Sequence, residues 1–180
     1  MALTATIYNF EIELADTDRR VYESLTLRVA RHPSESEEYF VTRVLAYLLE
    51  FKEGIEFSRG LSNPDEPPIA VRDLTGRLRT WIDIGTPDVD RLHKASKLAD
   101  RVAVYTHKEP TQFLKQLAGK KIHNADALEL YAIDRALVSG LVSRLERRVV
   151  FTLSVDGGDL YVTIGPDQLT GSVVRLSREV

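Results

Sequence analysis

Two acidic groups facing each other across a β-hairpin are the feature of this chain most able to do chemistry. The first is Asp83, within Leu78–Gly85 (Leu-Arg-Thr-Trp-Ile-Asp-Ile-Gly). Positions 78, 80, 82 and 84 of that segment are Leu, Thr, Ile and Ile, and positions 79, 81, 83 and 85 are Arg, Trp, Asp and Gly. Side chains alternate across a strand, so Asp83 and Gly85 share the less apolar face. The second acid comes from Pro64-Asp65-Glu66-Pro67-Pro68. A two-residue turn at Thr75-Gly76 would pair Asp73 with Leu78 and Pro68 with Asp83. Asp73 would then lie roughly 16 Å from Asp83 at ~3.3 Å per residue, too far to share an ion. Glu66 is two residues from the position facing Asp83, with the right parity and a diagonal reach. Asp65 has the wrong parity for a regular strand but sits in a loop. Glu66 therefore leads, Asp65 follows and Asp73 is third. Carboxylates so placed suit a hard cation such as Mg²⁺, which takes oxygen ligands. The alternative for Asp83 is an ion pair with Arg79 or Arg59.

Two further groups could join such a site. Ser34 and Glu37 have capping-box spacing, and Phe40, Val41, Val44, Leu45, Leu48 and Leu49 follow at helical spacing. Glu38 projects ~70° from the centre of that stripe, and a carboxylate at a core edge needs a partner or a metal. Lys94 and Lys97 lie on a second expected helix, opened by Pro87 and ending near Ala99. Lys94 is two turns from its start, and its stem could reach back to polarise water or phosphate. Trp81 shares the face of Asp83, and packing is its default role. The four histidines are scattered without ligand spacing, so no histidine metal site is expected.

The elements that must position these groups follow from periodicity. Thr4–Leu14 and Val21–Val29 read as an antiparallel ribbon of strands. The capped helix should end near Gly54. Short strands are expected at Ile55–Ser58, Ile69–Leu74 and Leu78–Ile84. A buried strand covers Arg101–Thr106, a short helix Thr111–Ala118, a strand Leu128–Ile133 and a helix Asp134–Leu145. Val149–Val155 and Leu160–Ile164 form a hairpin about Asp156-Gly157-Gly158, with a last strand over Val173–Leu176.

The order helix, strand, proline loop, strand, turn, strand, helix, strand resembles the core of PD-(D/E)XK nucleases. That resemblance implies an α+β fold. A compact nuclease-like core, a mixed sheet flanked by helices, would carry extra N- and C-terminal strands within one domain over 1–180. It implies that Asp83 stands at an acid position and that Gly85 replaces the usual lysine. Glu38 would be the first-helix acid, Lys94 or Lys97 the relocated lysine, and Mg²⁺ or Mn²⁺ the cofactor. More specifically, Ala30-Arg31-His32-Pro33-Ser34-Glu35, Phe57-Ser58-Arg59-Gly60-Leu61, Asp65-Glu66-Pro67 and Trp81-Ile82-Asp83-Ile84-Gly85-Thr86-Pro87-Asp88 look like the YaeQ family, as does Met1–Tyr8. This resemblance spans essentially the whole chain and implies a compact variant of the nuclease fold. Three functional readings follow. One is a Mg²⁺-dependent phosphodiesterase acting on nucleic acid, with Glu38, Asp65 or Glu66, and Asp83 on the metal and Lys94 on water or phosphate. Another is a non-catalytic nuclease-fold module that binds nucleic acid or a transcription or repair partner, and a third, weaker one is a structural protein whose acids are ion-paired, with Asp83 the partner of a buried arginine.

Composition bounds the rest. The 180 residues suit one domain, with 43% hydrophobic and 28% charged residues. There is no cysteine, so thiolate chemistry and disulfides are excluded. Met1–Glu13 has no charged n-region followed by an apolar run, and no apolar stretch approaches the ~20 residues of a membrane span. A cytoplasmic protein is the expectation. A net charge of −3 argues against a dedicated DNA-coating protein, though a local basic face remains compatible with it.

Overall fold

The computed structural model describes residues 4–58 and 64–178. The first three residues of the Met1–Tyr8 motif and Arg59–Leu61 of the second motif, with the start of the proline loop, lie outside the described residues. The fold is α+β, with ten strands and four α-helices among the described residues. Contacts gather into two compact units, one taking in residues up to Val41 with Ile133–Val173, the other Thr42–Ala132 with the segment from Val174.

The first unit is built on β1 (Thr6–Asp16) and β2 (Val21–Arg31), antiparallel with Thr6 opposite Arg31 and Asp16 opposite Val21. β1 also runs parallel to β8 (Arg148–Asp156), with Phe10 opposite Val149. β9 (Asp159–Ile164) and β10 (Asp167–Leu176) continue as an antiparallel meander. β1 alternates strictly: Tyr8, Phe10, Ile12 and Leu14 are buried, whereas Asn9, Glu11 and Glu13 are exposed. The inward rings form an aromatic nucleus in which Phe40 packs 4.9 Å from Tyr8 and Phe10 meets Phe151 edge-on at 6.3 Å. β10 begins six residues earlier than expected. Asp167 already pairs with Ile164, so Gly165-Pro166 is a two-residue hairpin turn.

The first helix, α1 (Glu37–Leu49), starts later than the Ser34–Glu37 spacing suggests. Ser36 is the cap: its hydroxyl accepts from the Tyr39 amide at 3.1 Å. Ser34 instead meets His32 Nδ1 at 2.7 Å, and the Glu35 carboxylate accepts from the His32 amide at 2.9 Å. The capping-box assignment is thus corrected, because those side chains close the preceding turn. Helix α1 ends at Leu49, five residues before Gly54.

In the second unit, β3 (Ile55–Phe57), β4 (Ile69–Arg72) and β5 (Leu78–Ile84) form an antiparallel meander. β6 (Arg101–Thr106) and β7 (Leu128–Ile133) extend it in parallel, β6 beside β5. Helix α2 (Val89–Leu98) makes the crossover between β5 and β6, and α3 (Thr111–Leu117) lies between β6 and β7. Asp88, not Pro87, caps α2, accepting from the Arg91 amide at 2.8 Å. The parallel partner explains why both faces of β5 are buried rather than one. Trp81, Leu92, Ala95, Phe113, Leu117 and Ile122 share one core cluster. The last helix, α4 (Arg135–Val142), belongs to the first unit and is capped by Asp134, which accepts from the Ala136 amide at 2.9 Å.

The β4–β5 hairpin keeps the expected register where it matters. Ile69 faces Ile82 and Val71 faces Thr80. The turn itself differs: a bulge pairs Arg72 with Leu78 and leaves Asp73 in the turn. There its carboxylate accepts from the Thr75 hydroxyl at 2.6 Å, the Thr75 amide at 2.9 Å and the Arg77 amide at 3.0 Å. These bonds, the Thr75 hydroxyl first, hold the Asp73 acid down to about 2, against the opposing effect of burial. Asp73 is therefore a turn residue, remote from Asp83 as expected.

Two predictions follow. Gly54 sits at φ +89, and a Cβ there would lie 2.1 Å from the Arg72 carbonyl oxygen. Gly54→Ala should lower the urea-unfolding free energy by more than ~1 kcal/mol; an unchanged midpoint would contradict this packing. An acid held low in the folded state adds stability above its unfolded pKa and loses it as pH falls toward the folded value. Asp73 should accordingly titrate near 2 by carboxyl NMR, and Thr75→Ala should move that midpoint upward.

Candidate functional site

Asp83 is 2% exposed near the end of β5. A buried carboxylate without donors costs several kcal/mol, so the surroundings must supply them. Three do. The Ile84 amide donates to Oδ1 at 3.1 Å, the Trp81 indole donates to Oδ2 at 3.2 Å, and Arg91 Nε donates to Oδ2 at 2.7 Å. Arg91 comes from the first turn of α2. Its guanidinium also lies over the Trp81 ring, 5.3 Å from the centroid, adding a cation–π contact. The ion pair is asymmetric in exposure, with 27% of the Arg91 side chain but only 3% of the Asp83 side chain in solvent.

The remaining nitrogens of Arg91 reach the proline loop. They donate to the Pro64 carbonyl at 3.1 Å and the Glu66 carbonyl at 3.3 Å. One guanidinium thus ties strand, helix and loop through its fixed fork of donors. A turn further along α2, Lys94 ion-pairs with Asp65. Both partners are exposed, so this pair adds little to stability.

The sequence-derived candidates therefore separate into distinct roles. Asp83, Asp65, Lys94 and the Glu66 backbone come together around Arg91. Glu66 contributes its carbonyl there, and its side chain is exposed. Glu38 lies half-buried in the first turn of α1, in the other compact unit. Lys97 is exposed on α2. Arg79 is not the partner of Asp83. It bonds Asp73 at 3.0 Å and Asp100 at 2.8 Å, because its side chain points to the far, turn end of the hairpin. Gly85 adopts φ 88 while its amide donates to the Tyr105 carbonyl at 2.8 Å. A lysine there would be strained, which gives the glycine a backbone reason.

These donors do not fit a divalent ion as arranged. The Asp83 oxygens already accept three hydrogen bonds, one from a cation, and Asp65 faces Lys94. Among the described residues no group of three His, Asp or Glu side chains is placed to hold a metal ion.

Arg91 is the residue that sequence reasoning missed. The available signal was an acid on an otherwise apolar strand, which demands a cation, and an arginine one turn into the following helix. A second cluster was missed as well. Arg101 binds Glu50 through both terminal nitrogens at 2.8 and 2.9 Å and Glu129 through Nε, while Tyr105 donates to Glu50 at 2.7 Å and Tyr131 to Glu129 at 2.6 Å. Burial, then the Glu50 charge, pushes the Tyr105 phenol up. Burial alone would raise Glu129, but hydrogen bonds from Arg101 and Tyr131 hold it below the usual range. Every group in that cluster is paired, and it reads as scaffolding between the end of α1 and β6 and β7.

The architecture defines a class: an α+β protein whose acid-bearing hairpin is locked by an arginine from the next helix. A family model described as YaeQ protein matches residues 1–173, and the chain belongs to the YaeQ family. It is 31% identical to the uncharacterized protein YaeQ of Escherichia coli (strain K12) over 164 residues, 91% of each chain, with the same figures for the Salmonella typhi protein. The crystal structure of YaeQ protein from Pseudomonas syringae superposes with a TM-score of 0.86 at 31% identity, covering 97% of both chains. That from Xanthomonas axonopodis pv. citri gives 0.85 at 30% identity, covering 96% of this chain and 98% of the other.

Loss of the buried pair should be costly and loss of the exposed one should not. Asp83→Asn should destabilise the protein by about 3 kcal/mol, the lower end for a broken buried pair because Arg91 keeps some solvent. Lys94→Ala should stay within about 0.5 kcal/mol. Urea melts of both variants measure this, and an Asp83→Asn protein as stable as wild type would remove the ion pair from the account.

Proposed function

We propose that this protein is a non-catalytic, nuclease-fold module that binds nucleic acid. The observation that carries the reading is the Asp83 carboxylate, buried and already paired with the Arg91 guanidinium. A metal-dependent phosphodiesterase needs that acid open to a cation, and here Arg91 supplies the positive charge and bonds the proline loop with its other nitrogens. The positive φ of Gly85 supports the same reading, since the in-strand lysine of an active centre has no place there. The element order α1, β3–β5, α2, β6 is the order that the sequence resemblance to nuclease cores rests on, and that resemblance supports nucleic acid as the partner class.

The metal-dependent alternative requires Asp83 to exchange Arg91 for Mg²⁺ or Mn²⁺, with Glu38, Asp65 or Glu66 joining and Lys94 released from Asp65. The two readings differ in a calorimetric titration. A binding module should show no saturable heat with Mn²⁺ up to millimolar concentration and no rise in melting temperature. It should leave single-stranded, duplex and branched DNA and RNA intact, while retaining them in a fluorescence-anisotropy assay at low salt. Mn²⁺-dependent cleavage that is lost in both Asp83→Asn and Lys94→Ala would overturn the proposal in favour of the enzyme.

A further inference from the structure

We infer that one face of the second unit, formed by α2, residues 120–123 and Arg178, is the surface that takes the phosphate backbone of nucleic acid. The inference rests on the binding-module reading and adds its location. The chain is acidic overall, yet two stretches of this unit carry lysines and no carboxylate, bounded by Asp90 and Asp100 and by Glu109 and Asp126. Between Thr111 and Ala125 there is no carboxylate, while Lys115, Lys120 and Lys121 fall in that stretch. Between Leu92 and Ala99 there is again none; Lys97 lies there without an ion pair among the described residues, and Lys94 lies there paired with Asp65 of the proline loop.

Contacts bring these segments together. His93 of α2 meets His123 edge-on, with ring centroids 6.3 Å apart, and its Nδ1 accepts from the His123 amide at 2.9 Å. Arg178 donates to the Lys120 carbonyl. The apolar neighbours of these cations are anchored beneath them: Leu92, Ala95 and Ile122 belong to one core cluster, against which Leu176 also packs. The charged side chains therefore stand on a fixed backbone. Lys97, Lys120, Lys121 and His123 are exposed. Unlike the arginines of the β4–β5 hairpin, which spend their charge on Asp73 and Asp100, Lys97, Lys120 and Lys121 form no ion pair among the described residues.

A cluster of anchored cations that form no ion pair among the described residues suits a polyanion whose charges repeat along a line. It recognises phosphate rather than sequence, because lysine is a point charge without base-reading geometry. Four cations, Lys97, Lys120, Lys121 and Arg178, would each displace a counterion. The slope of log K against log[salt] on duplex DNA should then be about −3.6, and affinity should fall roughly a hundredfold between 50 and 200 mM salt.

The test is a salt-dependent anisotropy titration of the full chain with a fluorescent duplex and a single strand of random sequence. Lys120→Glu/Lys121→Glu is compared with Lys52→Glu/Arg147→Glu, which changes net charge equally at exposed positions elsewhere. Circular dichroism melts confirm that both variants fold. The expected result is at least about tenfold weaker binding and a slope shallower by about 2 for the first variant, with the second close to wild type. Binding by wild type that both variants weaken equally, or that neither weakens, would overturn this surface and leave the binding reading standing. Absence of binding by wild type at 50 mM salt would overturn both.

Discussion

A carboxylate removed from water has to be given donors, and much of the second unit is arranged around that requirement at Asp83. The residue sits on a strand with neighbours on both sides, so no solvent reaches it from the sheet edge. Its donors must come from its own strand and from whatever crosses over the sheet. Trp81 and the Ile84 amide supply the local part, and Arg91 supplies the charge. For Arg91 to reach, α2 must begin close to the end of β5 and run back over it. Asp88 starts the helix at that point by capping the amide of Arg91 itself. The cap and the ion pair thus fix the same residue at its backbone and at its tip.

The same logic recurs at Arg101, where one guanidinium satisfies two carboxylates and those carboxylates in turn accept from Tyr105 and Tyr131. In both places an arginine, not a lysine, does the joining, because only a planar fork of donors serves several acceptors at once. Buried pairs of this kind contribute little net stability, since desolvation offsets much of the attraction. What they do is penalise alternatives: a shifted helix or strand would strand a charge. Arg91 and Arg101 therefore add a penalty for misplacing α2 or β6 to the register that turn position and apolar packing through Trp81, Leu92 and Ile122 already favour.

How much of this was legible depended on the range of the interaction. The bounds of β5, β6 and β7 follow from local apolar runs and agree with the structure. The register of Ile69 against Ile82 followed from the turn position. Asp83 stood out because an acid on an apolar strand breaks the pattern. Its partner did not, because choosing Arg91 over Arg79 requires knowing that α2 folds back across β5 and that the side chain of Arg79 points along the strand to the hairpin turn. The cap of α1 was misplaced for a related reason. Ser34 and Glu37 have the right spacing, but His32 and Glu35 compete for the local hydrogen bonds and push the helix start two residues on. The start of β10 was missed because Asp167–Gly171 lacks alternation, although Gly165-Pro166 offered the two-residue turn that begins it.

Net charge is a poor guide to what a surface of this protein presents. Within the second unit, Asp73, Asp83, Asp100, Glu50 and Glu129 are each engaged by arginine, so their fields are largely cancelled at close range. Lys97, Lys120 and Lys121 are exposed and form no such pair among the described residues. A formal charge of −3 is thus compatible with a locally positive face, because a distant polyanion responds to the uncancelled charges within about a Debye length, ~10 Å at 0.1 M salt. The charge that reaches solvent in this unit is therefore set by which cations lack a carboxylate, not by the formal total: Arg79, Arg91 and Arg101 are engaged by acids, and Lys94 by Asp65, whereas Lys97, Lys120 and Lys121 form no ion pair among the described residues.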